Sequence, residues 1–271
     1  MAAWRMAISA TALGLGAAWR RRRKVAVPLA VQEAKSRYLP LIALAGVFIA
    51  LHFSFFYSAL RLTTVLRATL LVCLVPIFVG LLGFVSFPGS PASRPPASFW
   101  AGIALALVGV RFVVMGPGGP EVRAAAQTGA LLNAGDIFAL LGAVAFAVYM
   151  RIGRIVRKGV PVRSYQLRVT AVAAAMLLPA AQMLHGSVAV PVSAWPWLAV
   201  ASLLPQLIGQ AGLDFVLFYL SPRIVSAATL MEPICASLLA WAFFGEAVSQ
   251  GQAFGSLLVL AAVAVVAASE R

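Results

Sequence analysis

The chain has 271 residues, of which 62% are hydrophobic and 10% are charged, and its mean hydropathy is +0.98. Because a soluble domain carries roughly 25% charged residues, this composition excludes a soluble globular protein and indicates a polytopic membrane protein. The formal net charge of +14 would suggest nucleic acid as the partner of a soluble chain. Here the basic residues cluster in short loops between apolar runs, as cytoplasmic loops do.

The apolar runs are continuous rather than alternating, which predicts helices and not a membrane barrel. The first run, 2–19, contains Arg5 and precedes a basic cluster, the reverse of a signal peptide's charge order. A span needs about 20 residues, so we expect a transmembrane helix with a clipped or shallow outer end. The predicted spans lie near 2–19, 38–60, 64–86, 98–115, 129–150, 164–184, 197–219, 224–244 and 252–269.

Lysine and arginine are distributed unevenly between alternate loops. The loops at 20–37 and 151–163 hold most of them, whereas the sixth and eighth loops hold none. Basic loops stay in the cytoplasm. This pattern predicts an N-terminus outside the membrane and a cytoplasmic C-terminus.

The sequence also contains a weak internal repeat, as transporters often do. The segment Thr64–Ile77 parallels Ile224–Ile234, and each is followed by a small-residue helix, a turn and a helix that carries Gly102 or Gly255. The predicted organisation is a first, incomplete repeat at 1–115, an inter-repeat loop at 116–128 and a second repeat at 129–271.

The C-terminal stretch carries the most specific motif. An apolar run with Glu232-Pro233 is followed by a small-residue helix, Gly245-Glu246, a short turn and a glycine-containing last helix. This order resembles the C-terminal signature of the EamA-type transporters of the drug/metabolite transporter superfamily. Two further stretches resemble the same family: Gly135–Tyr149 looks like the start of its second repeat, and Met1–Ala7 looks like the start of its second helix.

The resemblance implies an all-α membrane protein with two inverted repeats of five helices each and both termini in the cytoplasm. Four spans precede the inter-repeat loop here, so we expect a ten-helix fold without its first helix, with about nine transmembrane helices. That arrangement agrees with the external N-terminus that the loop charges predict. The first repeat departs from the family pattern, with Val75-Pro76 in place of the Glu-Pro pair and Pro88-Gly89 near the position of Gly245.

Polar residues inside the predicted spans are the candidates for a substrate or proton pathway. Glu232 is either a cavity-facing carboxylate or part of a proline kink satisfied by neighbouring helices. Gln206, Gln210 and Asp214 follow one another at i, i+4 and i+8, which places a polar stripe on one helix face. The stripe is typical of a water-lined surface, and interhelical hydrogen bonding is the alternative, favoured more for the glutamines than for Asp214.

Three further residues complete the candidate set. His52 and Tyr57 lie five positions apart, so at most one of them points squarely into a cavity. Arg5 lies near a span end, where snorkelling to the interface is the simpler explanation, but the family resemblance favours a role for it. Asp136 and Glu246 are interpreted as charges at helix termini.

We find no metal-ligand cluster, no paired carboxylates and no phosphate loop, so we expect neither an enzyme nor a cofactor or metal. The function that the sequence favours is a secondary transporter or exporter of a small metabolite or drug-like solute, working by alternating access, with proton coupling left open. The alternatives are a non-transporting truncated paralogue or mis-started chain, and an integral-membrane enzyme. We expect a multi-pass protein of the plasma or inner membrane whose partners are a small-molecule substrate and the bilayer, not nucleic acid, and a homodimer is left open.

Overall fold

In a computed structural model of the chain the regular elements are helices, within the described residues 2–22, 37–63, 65–86, 92–114, 133–185, 189–245 and 249–270. Within these ranges there is no strand. The Pro88-Gly89 pair, the loop 116–128 and Glu246 lie outside them. The helices are α1 (Ala2–Arg22), α2 (Leu39–Leu62), α3 (Val65–Val72), α4 (Val75–Leu82), α5 (Ala97–Val114), α6 (Ala134–Arg157), α7 (Val162–His185), α8 (Trp195–Ala201), α9 (Gln210–Val216), α10 (Pro222–Thr229), α11 (Glu232–Phe244) and α12 (Gln250–Ala268).

Each predicted span is matched by one helix or by consecutive shorter ones, which confirms an all-α membrane protein. Two of the single helices, α1 and α7, carry several charged side chains. The described helical segments that are long and apolar enough to cross a bilayer are Leu39–Leu62, Ala134–Arg157, Val192–Val216 and Gln250–Ala268.

The predicted end of the fifth span was wrong. The helix α6 continues to Arg157 instead of ending near residue 150, so Arg151, Arg154 and Arg157 lie in its last turns and not in a loop. Two of these side chains are buried, Arg151 and Arg157. Arginine can pack its apolar methylene groups against neighbouring helices while its guanidinium stays in a polar environment. An arginine can therefore lie in a helix as well as in a loop, which the loop prediction did not consider.

The chain divides into two compact units. Unit 1 contains Met1–Tyr57 and Val148–Leu220, and unit 2 contains Ser58–Ala147 and Ser221–Arg271. Each unit therefore contains segments from both sequence repeats.

Unit 1 is held together by packing of α1 against α7 and against the segment Val192–Val216. The backbones of α2 and α7 approach closely at Gly46, where a Cβ would lie 2.6 Å from the Cβ of Val172. The largest fully buried side chains of this unit include Tyr149 and Tyr165. Because both tyrosines bring a hydroxyl group into the interior, this core needs polar partners.

Unit 2 is built on the pairing of α5 with α12. A Cβ at Gly109 would lie 2.8 Å from the carbonyl oxygen of Gly255, and one at Gly102 would lie 2.7 Å from Val266. Glycine at these positions lets the two backbones meet, as in close helix packing within membranes. The two helices are the glycine-bearing helices of the predicted repeats.

The helices of unit 2 are interrupted at two corresponding points. A turn at Cys73 and Leu74 separates α3 from α4, directly before Val75-Pro76. A second turn separates α10 from α11, directly before Glu232-Pro233. Proline lacks an N–H and clashes with the carbonyl four residues earlier, so the kink that the sequence predicts at Glu232-Pro233 is confirmed.

Polar contacts tie the ends of the unit 2 helices. Arg223 at the start of α10 pairs with Glu270 beyond α12 at 2.6 Å and donates to the hydroxyl of Ser93 at 3.2 Å. At the start of α6, the Asp136 carboxylate accepts from the Asn133 N–H and the Asn133 side chain accepts from the Asp136 N–H, each at 2.9 Å. This reciprocal cap confirms the interpretation of Asp136 as a helix-terminus charge.

Candidate functional site

The segment Trp195–Val216 of unit 1 changes its helical geometry in the middle. A π-helix, Ser202–Gly209, lies between α8 and α9 and contains Pro205. The proline has no N–H to donate, which removes one regular bond from the helix. The hydroxyl of Ser9 on α1 donates to the carbonyl oxygen of Ser202 at 3.0 Å. Wide turns of this kind are frequent at functional sites in helical proteins.

Three of the predicted site residues meet beside this π-helix. The guanidinium of Arg5 donates to the hydroxyl oxygen of Tyr57 at 2.9 Å and to Oε1 of Gln206 at 3.4 Å. It also lies over the ring of Phe53, 5.2 Å from the centroid. Gln206 is buried, with 1% of its surface exposed. Arg5 is therefore bonded to two other helices.

Aromatic side chains surround this cluster, which we call the Arg5 cluster (Arg5, Tyr57 and Gln206). Trp4 and Trp195 make an edge contact with their ring centroids 5.0 Å apart. His52 is buried and packs edge-on against Phe53 at 4.9 Å and parallel to Phe56 at 6.3 Å. His52 is therefore a packing neighbour of the ring beneath Arg5, whereas Tyr57 bonds Arg5 directly.

A second polar cluster surrounds Asp214, which is fully buried. The hydroxyl of Tyr149 lies 2.7 Å from one carboxyl oxygen and 2.8 Å from the other. The side-chain amide of Gln166 donates to the same carboxyl group. Burial without such donors would be costly, so α6, α7 and α9 are joined by one network.

Two arginines of α6 bond the backbone at the end of α9. The Nε of Arg157 donates to the backbone carbonyl of Asp214 at 2.9 Å, and Arg154 donates to that of Leu217 at 2.8 Å. Cations are favourable where the last carbonyls of a helix lack partners. These arginines therefore bond the backbone of α9 and not the Asp214 side chain.

The remaining stripe residue, Gln210, lies about one helical turn from both Gln206 and Asp214 and is half-buried. Glu232 belongs to unit 2, where it is the first residue of α11 and is exposed. The start of a helix favours a negative charge.

Sequence reasoning missed Tyr149 and Gln166. Tyr149 lies in an apolar stretch, the signal that drew attention to Gln206 and Asp214, whereas Gln166 lies in a polar stretch between Arg163 and Arg168. Tyrosine was overlooked because its ring suits an apolar helix and only its hydroxyl needs a partner. The prediction that the stripe lines a pathway stays a prediction, since Gln206 and Asp214 are both buried and bonded between helices.

Apolar helices of bilayer length, paired glycine-bearing helices and polar clusters held between helices define a multi-pass helical membrane protein with two repeats. The sequence matches the family model of the EamA-like transporter family over residues 1–115 and 133–268, and the chain belongs to that family. It is therefore a member of the drug/metabolite transporter superfamily, which suggests a transporter and not an enzyme.

A solved structure described only as the crystal structure of a protein has the same fold. It superposes with a TM-score of 0.71 at 22% sequence identity, covering 100% of this chain and 88% of that chain. At this identity the likeness concerns the fold alone. Comparison with curated proteins found no match.

The Asp214 network makes a testable contribution to stability. Tyr149→Phe removes the hydroxyl donor and leaves a buried carboxyl group short of a partner. We expect the free energy of unfolding to fall by between about 0.6 and 3 kcal/mol, the range from average membrane hydrogen bonds to bonds with charged groups. Tyr219→Phe is the control, because Tyr219 is 61% exposed. Reversible unfolding in mixed micelles measures the free energy of unfolding of both variants. Equal effects of the two changes would contradict a stabilising role for the Asp214 network.

Proposed function

We propose that this chain is a secondary transporter that moves a small organic solute across a membrane by alternating access. The observation that carries this proposal is the row of polar side chains in unit 1, from the Arg5 cluster through Gln210 to Asp214. Polar groups at membrane depth are expensive and are characteristic of substrate pathways. A solute that leaves water needs such groups to replace its lost hydrogen bonds.

Unused donors support a binding role for this row. The Nε of Arg5 and the amide nitrogen of Gln206 are buried and have no hydrogen-bond partner. A side chain that served only to join helices would gain by using both of its polar ends. The π-helix between Ser202 and Gly209 adds a wide, irregular backbone at the same level, where transporters place their sites.

The test of transport combines labelling with flux. In a chain with Cys73 and Cys235 replaced by alanine, we expect Gln210→Cys to react with a charged, membrane-impermeant thiol reagent. Ile208→Cys is the matched control: Ile208 is 64% exposed and apolar, so we expect it to face lipid and to react slowly.

Flux is then measured in proteoliposomes as counterflow of radiolabelled amino acids, organic acids and amines. At least one solute should exchange, and modification of Gln210→Cys should block its exchange. Equal labelling at both positions would remove the pathway assignment. Failure of every solute to exchange would favour the alternative, a chain without transport activity.

We also propose an integral protein of the plasma or inner membrane with its N-terminus outside and its C-terminus in the cytoplasm. The charge distribution between loops supports this orientation. Within unit 2, the contacts of Arg223 with Ser93 and Glu270 join segments that this topology predicts on one membrane side.

Reporter fusions test the orientation. A fusion after Lys158 should report the cytoplasm, because the preceding turns of α6 are basic, and a fusion after Val190 should report the exterior. The opposite pair of signals would invert the topology.

Proton coupling is the finer part of the proposal and rests on Glu232. Glu232 stands at an interrupted helix within an apolar segment, where a carboxylate can exchange protons or bind a cation. We expect Glu232→Gln to retain fold, expression and solute exchange but to lose the pH dependence of transport. Glu232→Asp, which keeps a titratable group, is the control. A Gln variant with an unchanged pH profile would reduce Glu232 to part of the helix break.

A further inference from the structure

We propose that the Arg5 cluster binds the carboxylate group of a monoanionic organic solute. This inference rests on the proposed transport function and names the substrate class of the same site. It is carried by the charge of Arg5, by the donors that the cluster leaves unused, and by the aromatic side chains beside it.

Among the residues that the structure describes, no carboxylate pairs with the charge of Arg5. Its hydrogen-bond acceptors are the neutral oxygens of Tyr57 and Gln206. The only carboxyl group in the described residues of unit 1 is that of Asp214, which is held by Tyr149 and Gln166. Guanidinium stays protonated in proteins, so Arg5 brings a full positive charge into an apolar bundle. Such a charge is costly without a counter-ion, and a bound anion would supply one.

The hydrogen-bonding groups of the Arg5 cluster that have no partner are all donors. The Nε of Arg5 and the Nε2 of Gln206 are buried and have no acceptor. The oxygen of Tyr57 already accepts from Arg5, which leaves its O–H available to donate. An ionised carboxylate accepts hydrogen bonds through two oxygens and donates none, and it fits a guanidinium with two parallel bonds. The missing partner of this cluster is therefore an acceptor with negative charge.

The cluster has one positive charge, which favours a monoanion over a phosphate monoester. The other arginines of unit 1 whose bonds are described, Arg154 and Arg157, donate to backbone carbonyls at the end of α9. Arg5 would neutralise only one of the two negative charges of a dianion. Removing the second charge from water would then be unfavourable. An amine would meet only donors and a like charge. The ring of Phe53, which lies against the Arg5 guanidinium, is an apolar neighbour for the body of the solute.

The binding experiment uses the full-length protein in detergent with benzoate as the probe. Ligand that binds only the folded state raises the unfolding midpoint in a saturable manner. We expect benzoate to do so, and benzamide, benzylamine and phenyl phosphate to have little effect at equal concentration and ionic strength. A response to benzylamine or phenyl phosphate equal to that of benzoate would overturn the assignment of the carboxylate.

Three variants test whether Arg5 binds the carboxylate of the probe. Arg5→Gln should weaken benzoate binding by about tenfold or more, the loss expected for a charge-assisted bond. Arg5→Lys should weaken it less, because it keeps the charge and loses the planar fork. Arg163→Gln is the control, since Arg163 is exposed on α7, and it should leave the benzoate response unchanged.

Gln206→Glu keeps the test decisive if Arg5→Gln does not fold. The new carboxylate would pair with Arg5 inside the chain and occupy the site. We expect a higher unfolding midpoint without ligand and loss of the benzoate response. A Gln206→Glu protein that still responds to benzoate as the wild type does would overturn the proposal.

Flux separates this inference from the proposed function. If neutral or cationic solutes exchange in proteoliposomes and benzoate neither exchanges nor inhibits, transport stands and the carboxylate site is wrong. If benzoate stabilises the wild-type chain but not Gln206→Glu, and no solute exchanges, the site stands and transport is wrong.

Discussion

Gln206 and Asp214, the long polar side chains buried on the segment Val192–Val216, have their side-chain hydrogen bonds with other helices. These hydrogen bonds constrain the arrangement of α1, α6, α7 and the segment Val192–Val216. Arg5 reaches Tyr57 and Gln206, and Asp214 is met by Tyr149 and Gln166. Apolar contacts between helices give little preference for one rotation over another within a bilayer, whereas these bonds specify which faces meet.

The same constraint explains where the helices deviate from regular geometry. Each interruption within a predicted span lies at or beside a proline, and at the π-helix a side chain of another helix bonds the backbone. Ser9 bonds the carbonyl of Ser202 at the π-helix that contains Pro205. The arginines at the end of α6 bond the last carbonyls of α9. Basic residues that the loop pattern assigned to topology thus also stabilise a helix terminus, which is why Arg157 is buried and not solvated.

Much of the fold could be predicted from sequence because bilayer-length apolar runs and proline positions act locally. The kink before Pro233 and the helix-terminus role of Asp136 followed from chemistry within a few residues. The site depended on distant partners. Arg5 and Gln206 were each singled out, yet nothing in their spacing indicated that residues 201 positions apart would bond. The end of α6 was missed because arginine was counted as a loop residue when its stem could pack inside.

The two sequence repeats give similar backbones with different chemistry. Both contain a break before a proline, but the residue that precedes it is a buried valine at 75 and an exposed glutamate at 232. A buried carboxylate at the first position would need a partner, and valine removes that need. Any ion chemistry at these breaks can therefore be supplied by one repeat only. The described part of unit 1 shows a similar bias, with the Arg5 guanidinium on α1 and the Asp214 carboxyl group on α9. A two-repeat scaffold can thus pack its glycine-bearing helices closely, at Gly102 and where Gly109 meets Gly255, while its polar groups differ between the repeats.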